Sequence, residues 1–560
     1  MTGTGAAWRR RPVLSVETLV LLGALFIMVA GNGRFWEAAL AGRGWADAST
    51  WAFMGAVFVA LTALYVAAAA TLATRYTVKP LLSILLVTSA ATAYYMDRYS
   101  IYFDRAMLRN VLATNYAEAS ELLGWRMVVF VLVLGVLPAL LVWWPDVKRR
   151  PVRRALAIRL AWIVGALGVA TASLLLVFSD FASLMRNHKE VRYLINPGNV
   201  VSAFASNAWG RSSRPRGPKV AVGADAQLAA AWQGRTRPAL FVLVVGETAR
   251  AQNFALNGYG RPTNPELARR DIVNLPQVDA CGTSTEVSLP CMFSAVGRAH
   301  YDEEKILGQE SLLHVLARAG FQVVWRDNQS GCKGVCSGLT QQQLNGAGAK
   351  ATCPDGQCLD EVLVQGLDGV ARDAKGNVFV VLHQLGSHGP AYFKRYPPQF
   401  RRFTPACESE DLRTCSRDEI VNAYDNSLLY TDHVLGQLID FLDRAQATHD
   451  TAMLYVSDHG ESLGESGLYL HGVPYAIAPD VQKRVPLVMW LSPAFRRSFG
   501  VDQDCLRRRA DLPRSHDNLF HSLLGVLDVR TRAYDGGLDL FAGCRANPQP
   551  QAAAAGPVAR

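Results

Sequence analysis

A chain of 560 residues, half of them hydrophobic and only 19% charged, is too apolar for an ordinary water-soluble enzyme and too rich in core-forming side chains for disorder. Its net charge of +10 would suit nucleic acid, but most of the excess comes from ten basic residues in three short stretches beside apolar runs, so no nucleic-acid partner is expected. All ten cysteines lie between Cys281 and Cys544, an even number confined to one half, which predicts a disulfide-bonded domain outside the cytoplasm.

Apolar runs at 13–30, 51–73, 80–96, 127–144 and 160–178 predict five membrane-spanning helices, each near the length that a ~30 Å hydrocarbon core requires. Four similar runs after the first argue against a cleaved signal peptide. Arg9, Arg10 and Arg11 precede the first run, and Arg75 and Lys79 separate the second from the third. Lys148, Arg149, Arg150, Arg153 and Arg154 separate the fourth from the fifth. Basic residues on alternate connections put the N-terminus in the cytoplasm and everything after the fifth span outside. The expected organisation is a transmembrane domain over 1–179, a connector over 180–220, an exported domain over 221–547 and a disordered tail over 548–560. The connector ends in a basic, Pro-containing stretch at 211–219, suited either to a solvated linker or to an anionic membrane surface.

Between the third and fourth spans, residues 107–121 contain no Pro or Gly and carry Asn110, Thr114 and Glu118 at i, i+4 and i+8. That spacing predicts one helix with a polar stripe, either a plainly solvated face or an interfacial helix with its apolar Met107, Leu108, Val111 and Leu112 against lipid.

In the exported half, three β-branched runs end in polar residues before a helical pattern begins. The run 239–245 leads into Gly246 and Glu247, 378–382 into His383 and His388, and 453–457 into Asp458 and His459. Continuous apolar strands alternating with helices predict a parallel sheet in an α/β domain, with the functional groups beyond the carboxyl ends of the strands. Carboxylates mixed with imidazoles suit zinc, with manganese second. Between Cys281 and Cys291, small hydroxyl residues including Thr283, Thr285 and Ser288 precede a helical pattern. A hydroxyl at a helix N-terminus is either an ordinary N-cap in a disulfide loop or a group placed to meet phosphorus, which needs a base or a metal to ionise. The short separations of four cysteine pairs predict disulfides 281–291, 332–336, 353–358 and 407–415, which leaves 505–544 by elimination.

The motifs Gly-Glu-Thr-Ala-Arg at 246–250, Asn-Gly-Tyr-Gly-Arg-Pro-Thr-Asn-Pro at 257–265 and Cys-Gly-Thr-Ser-Thr-Glu-Val-Ser-Leu-Pro-Cys at 281–291 occur in that order. They are followed by Trp-Arg-Asp-Asn at 325–328, His-Gln-Leu-Gly-Ser-His-Gly-Pro at 383–390, Ser-Asp-His-Gly-Glu-Ser at 457–462 and Leu-His-Gly-Val-Pro-Tyr-Ala at 470–476. In this order they resemble the phosphoethanolamine transferases of Gram-negative inner membranes, members of the alkaline phosphatase/sulfatase superfamily that modify lipid A and confer polymyxin resistance. The resemblance covers essentially the whole chain.

It implies a periplasmic catalytic domain on a five-helix inner-membrane anchor, acting as a monomer. Thr285 would be the nucleophile that becomes phosphoethanolaminated, and Glu247, Asp458 and His459, with the Thr285 oxygen, the zinc ligands. His388 and His471 would hold a second zinc or the phosphate and leaving group. Ser330 and Lys333 would contact substrate phosphate, and Asn110, Thr114 and Glu118 would line the donor-lipid cavity. The implied donor is phosphatidylethanolamine and the implied acceptor lipid A or another envelope glycolipid. Gln329 and Glu286 depart from the pattern of some relatives, as does the Cys332–Cys336 pair. Transfer to another envelope glycan, a membrane-anchored phosphodiesterase or sulfatase, and a non-catalytic lipid-binding protein are the competing readings. The sequence around Thr285 is not a sulfatase Cys/Ser-x-Pro-x-Arg motif.

Overall fold

The computed structural model describes residues 11–114, 116–213, 218–344, 353 and 358–546. Arg9, Arg10 and the tail expected from 548 lie outside the described residues, as does the side chain of Glu118. The chain forms two compact units. One runs up to Leu108 and includes Leu123–Asn207; the other joins Arg109–Leu122 to the chain from Ala208 onward.

In the first unit the helices Ala48–Leu72, Val78–Tyr99, Trp125–Trp143 and Val152–Leu176 are long and apolar enough to cross a membrane. Val16–Ala30 and Gly33–Ala39, bent by 62° at the break between them, count as a fifth span if taken together. The break sits at a buried amide pair. Asn32 Nδ2 donates to Ile27 O at 3.0 Å and to Asn196 O at 2.8 Å, and Asn196 N donates to Asn32 Oδ1 at 2.9 Å. Asn196 Nδ2 also donates to Gly31 O at 3.0 Å and to Ser89 O at 2.8 Å. Backbone groups freed by a broken helix find no water in hydrocarbon, and these two side chains take that place. The last span begins at Val152 rather than near 160, because exposed Arg153 and Arg154 keep their charges in solvent while the helix continues beneath them.

The single helix expected over 107–121 is two pieces, Arg105–Ala113 and Tyr116–Leu122. Thr114 Oγ1 donates to Asn110 O at 2.7 Å, the kind of side-chain back-bond that bends a helix, so one continuous face does not carry Asn110, Thr114 and Glu118. Nor do the four apolar residues share an environment: Met107 and Leu108 are buried, whereas Val111 and Leu112 are exposed.

The second unit is built on an eight-stranded sheet. Its strands are β1 (Ala239–Gly246), β2 (Ile272–Asp279), β3 (Gln322–Asp327), β4 (Thr340–Gln343), β5 (Val378–His383), β6 (Asp450–Ser457), β7 (Arg484–Leu491) and β8 (Arg514–Ser515), in the spatial order β8-β2-β7-β6-β1-β5-β3-β4. The core strands β6, β1, β5 and β3 run parallel, and β4 and β8 also pair in parallel with their neighbours. Only β7 departs from the expected parallel sheet, pairing antiparallel with both β6 and β2. Every residue of β1 and β6 is buried, as strands covered on both faces must be, and Phe241 stacks on Phe379 with ring centroids 5.6 Å apart. The long helix Arg417–Ala445, started by a Ser416–Glu419 capping box, packs against β6. All five disulfides pair as the spacing predicts, and no free cysteine remains among the described residues.

Candidate metal centre

The strands β5, β1 and β6 are neighbours, so their carboxyl ends open onto one place. Gly246 closes β1 against the Tyr455 ring, where a Cβ would meet the phenol oxygen at 2.5 Å, and Glu247 follows at once. Asp458 and His459 follow β6. Glu247, Asp458 and His459 are fully buried, and one ligand atom from each lies within 4.8 Å of the others. His459 Nε2 stands 3.2 Å from Glu247 Oε1 and 3.5 Å from Asp458 Oδ2. Its Nδ1 bonds Gly460 O at 2.9 Å, which fixes the ring and turns Nε2 to the carboxylates.

Thr285 begins the helix Thr285–Met292, the helix N-terminus expected for it, and the Cys281–Cys291 bridge closes this loop and helix. Its Oγ1 donates to Glu247 Oε2 at 2.9 Å and lies 3.3 Å from His459 Nε2. Thr283 instead donates to Val473 O at 2.7 Å, so its hydroxyl is committed elsewhere. Ser288 donates to Asp458 O at 2.5 Å and supports the ligand loop from below.

Two atoms here lack what buried polar atoms ordinarily have: Glu247 Oε1 and Asp458 Oδ2 have no hydrogen-bond partner. Burial opposes ionisation of Glu247, yet the imidazole of His459 beside it holds it well below the usual carboxylate range. Burial, reinforced by the Glu247 charge, pushes Asp458 up to about 6. Burial also opposes protonation of His459, but Asp458 and Glu247 outweigh it and push the imidazole up to about 10. Two carboxylates this close demand a positive charge between them, and a metal ion meets that demand with all three ligands. These residues can therefore hold a metal.

A second group shares Glu247 and adds His388 and His471, again with ligand atoms within 4.8 Å of one another. Desolvation pushes His388 down to about 3, so its ring is neutral, and its Nδ1 has no partner. His471 Nδ1 is bound by Glu461 Oε2 at 2.8 Å, which leaves Nε2 as the ring's open nitrogen. The rings of His459 and His471 lie 4.4 Å apart.

Gln329 Nε2 donates to Glu247 Oε2 at 3.1 Å, and Ser330 Oγ donates to the Gln329 carbonyl. Lys333 Nζ donates to Ser330 Oγ at 2.8 Å and lies 4.0 Å from Glu286 Oε2. The two departures singled out in the sequence thus flank the cluster. Asn110 and Thr114 sit in the segment Arg109–Leu122 of this same unit.

Sequence reasoning missed further buried polar groups around the cluster. Glu461 holds His471, and Tyr392 OH donates to the other Glu461 oxygen at 2.6 Å. Asp327 binds His383 Nδ1 at 2.6 Å and, although burial opposes it, raises the imidazole above its ordinary value. Glu461, Asp327 and His383 all lie inside motifs quoted above, so their signal was present but unassigned.

Buried carboxylates and imidazoles at the carboxyl ends of a largely parallel sheet, facing a threonine on a helix N-terminus, define the sulfatase class of fold. A family model described as Sulfatase matches residues 239–529, and one described as Phosphoethanolamine transferase EptA/EptB matches residues 50–209. The chain is 39% identical to the phosphoethanolamine transferase EptA of Escherichia coli K12 over 541 residues, covering 96% of this chain and 98% of that protein. It is 37% identical to the phosphatidylethanolamine transferase Mcr-1 of Escherichia coli over 534 residues, covering 94% and 97%. The integral membrane lipooligosaccharide phosphoethanolamine transferase A of Neisseria meningitidis superposes with a TM-score of 0.91 at 38% identity, over 95% of this chain and 99% of that one. The chain belongs to the EptA/Mcr family of lipid A phosphoethanolamine transferases, within the sulfatase/alkaline phosphatase superfamily. It is a phosphoethanolamine transferase, an integral membrane protein with a periplasmic catalytic domain.

Proposed function

We propose that the enzyme moves phosphoethanolamine from phosphatidylethanolamine to a lipid A phosphate in two displacements, with Thr285 as the covalent carrier. The observation that carries this reading is the buried cluster in which Thr285 Oγ1 donates to Glu247 Oε2 and lies 3.3 Å from His459 Nε2, beside two carboxylate oxygens, Glu247 Oε1 and Asp458 Oδ2, that have no hydrogen-bond partner. Zn²⁺ fits the donor set Glu247, Asp458, His459 and Thr285 Oγ1; bound there, it supplies a Lewis acid that lowers the hydroxyl pKa and offsets charge on the phosphoryl oxygens. A second zinc would use Glu247, His388 and His471.

The chain's own residues do the rest. Glu247 and the helix N-terminus hold Thr285 Oγ1 in one orientation, which confines attack to one direction. Oγ1 forms a bond to phosphorus, the bond from phosphorus to the diacylglycerol oxygen breaks, and that oxygen leaves as an alcohol with the proton Thr285 gave up. His388 and His471 are assigned to the departing oxygen and the phosphate, with Lys333 and Ser330 offsetting phosphoryl charge. An oxygen of the acceptor phosphate then forms a bond to phosphorus as the bond from phosphorus to Thr285 Oγ1 breaks, and Oγ1 leaves as the hydroxyl, taking up a proton from the acceptor or solvent. Asn110, Thr114 and Glu118 are proposed to meet the donor headgroup, a reading supported by their membership of the unit that carries Thr285.

The test is mass spectrometry of the purified, zinc-loaded enzyme incubated with phosphatidylethanolamine alone. A phosphoethanolamine adduct on the peptide containing Thr285, discharged by added lipid A, is expected. Turnover without any adduct at Thr285, or release of free phosphoethanolamine with no modified lipid A, would refute the scheme.

A further inference from the structure

Arg395 follows the short 3₁₀ turn Tyr392–Lys394 just after the His388 loop, and its side chain is 1% exposed. Its guanidinium bridges two different groups. Nε donates to the backbone carbonyl of His388 at 2.8 Å, and Nη2 meets Glu121 Oε2 at 2.6 Å. The Glu121 side chain is 3% exposed, so the pair is buried on both sides. Glu121 is the penultimate residue of Tyr116–Leu122, in the same short segment, Arg109–Leu122, that carries Asn110 and Thr114. Arg109, at the other end of that segment, is paired with Glu303.

A buried ion pair of this kind is poor evidence of stabilisation, since desolvating both ions offsets most of their attraction. What it does well is fix geometry. The fork spans a carboxylate from one stretch of chain and a carbonyl from another, a task that the planar guanidinium does and a lysine ammonium cannot. The His388 ring nitrogen Nδ1 has no hydrogen-bond partner of its own, so the backbone carbonyl is where Arg395 reaches this residue.

We infer that Glu121 is a positioning residue that acts through Arg395 to set His388 in place, so that the loop between the third and fourth spans is tied to the reaction centre by a charge pair. This rests on the reading that His388 serves the reacting phosphate. The effect of Glu121 passes through the Arg395 fork rather than by contact with the reacting atoms.

The experiment uses the full-length enzyme in phosphatidylethanolamine-containing liposomes, with lipid A transfer, zinc content and melting midpoint measured for each variant. Arg395→Lys keeps a cation opposite Glu121 but offers one nitrogen where two are used. It is expected to keep the melting midpoint and zinc content while kcat falls about 10–100-fold, the usual cost of removing a group that orients a site ligand. Glu121→Gln, which removes the charge at constant shape, should lower kcat in the same way, and Glu121→Asp should recover part of it. The exchanged pair Glu121→Arg with Arg395→Glu should also keep the melting midpoint while kcat stays low, since a carboxylate on that turn has no N–H to donate to the His388 carbonyl. Recovery of kcat in the exchanged pair would mean the ion pair matters for folding alone and would overturn the proposal. So would wild-type kcat in Arg395→Lys. His388→Ala is the separate control: full activity there refutes the role of His388 itself, whatever the Glu121 variants do.

Discussion

Gly386 is where a single methyl group would test how tightly the site is built. The residue has φ +54°, and a Cβ there would stand 2.6 Å from Glu247 O, 2.9 Å from Glu247 N and 3.0 Å from Glu247 Cβ. Its neighbours leave no room to yield: Gly386 N donates to Asp360 Oδ2 at 2.8 Å, and Ser387 N donates to Glu247 O at 3.1 Å. Gly386→Ala therefore carries a left-handed backbone penalty of ~1–2 kcal/mol and an overpacking cost of ~1–3 kcal/mol, together about 2–5 kcal/mol. Because the atoms struck are backbone, Glu247 itself must shift, and a displacement near 1 Å costs on the order of 100-fold in rate. Thermal unfolding, zinc content and transfer from phosphatidylethanolamine should all fall together. Gly369→Ala is the control: it lies in the helix Leu367–Asp373 with nothing within 4 Å of the added methyl, and should be neutral or stabilising by ~0.5–1 kcal/mol. A Gly386→Ala enzyme with unchanged zinc content and unchanged transfer would show that Glu247 is not held by this contact.

Thr285→Ala should abolish transfer with the melting midpoint little changed, whereas Thr283→Ala, whose hydroxyl serves Val473 O, should keep the covalent chemistry; a phosphoethanolamine adduct formed by Thr285→Ala would sink the assignment. Chelation should remove activity and lower the melting midpoint, and returning zinc at about 100 times its dissociation constant should recover about 2.7 kcal/mol; a midpoint indifferent to zinc would argue against a metal at Glu247 and Asp458. Among the disulfides, chain entropy predicts a loss of about 4 kcal/mol for Cys505→Ser with Cys544→Ser, which opens a separation of 39, against about 2 kcal/mol for Cys332→Ser with Cys336→Ser, which opens 4. Equal losses in denaturant titrations would refute that ordering.

The features legible in the sequence are those encoded by neighbouring residues. Apolar runs located the spans, because hydrocarbon thickness sets a length that composition alone reveals. The uniformly apolar β1 and the apolar middle of β6 announce a sheet buried on both faces, and the ends of these strands put Glu247, Asp458 and His459 within reach of one another. Close pairs of cysteines needed no knowledge of the fold. Other features arise from residues far apart in the chain, and no local period records them. The 62° break in the first span depends on Asn196 reaching Asn32 and Gly31, and a window of apolar residues around Asn32 carries no trace of Asn196. The reversal of β7 is decided by which neighbours it meets, not by its own residues, which after the exposed Arg484 are as buried as those of a parallel strand. The spacing over 107–121 predicts one helix, and the chain divides it at Thr114, whose hydroxyl bonds back to Asn110 O. Glu461 on His471 and Glu121 on Arg395 are carboxylates of ordinary type at ordinary positions; what distinguishes them is burial against a cationic or imidazole partner, and only the tertiary structure creates that burial.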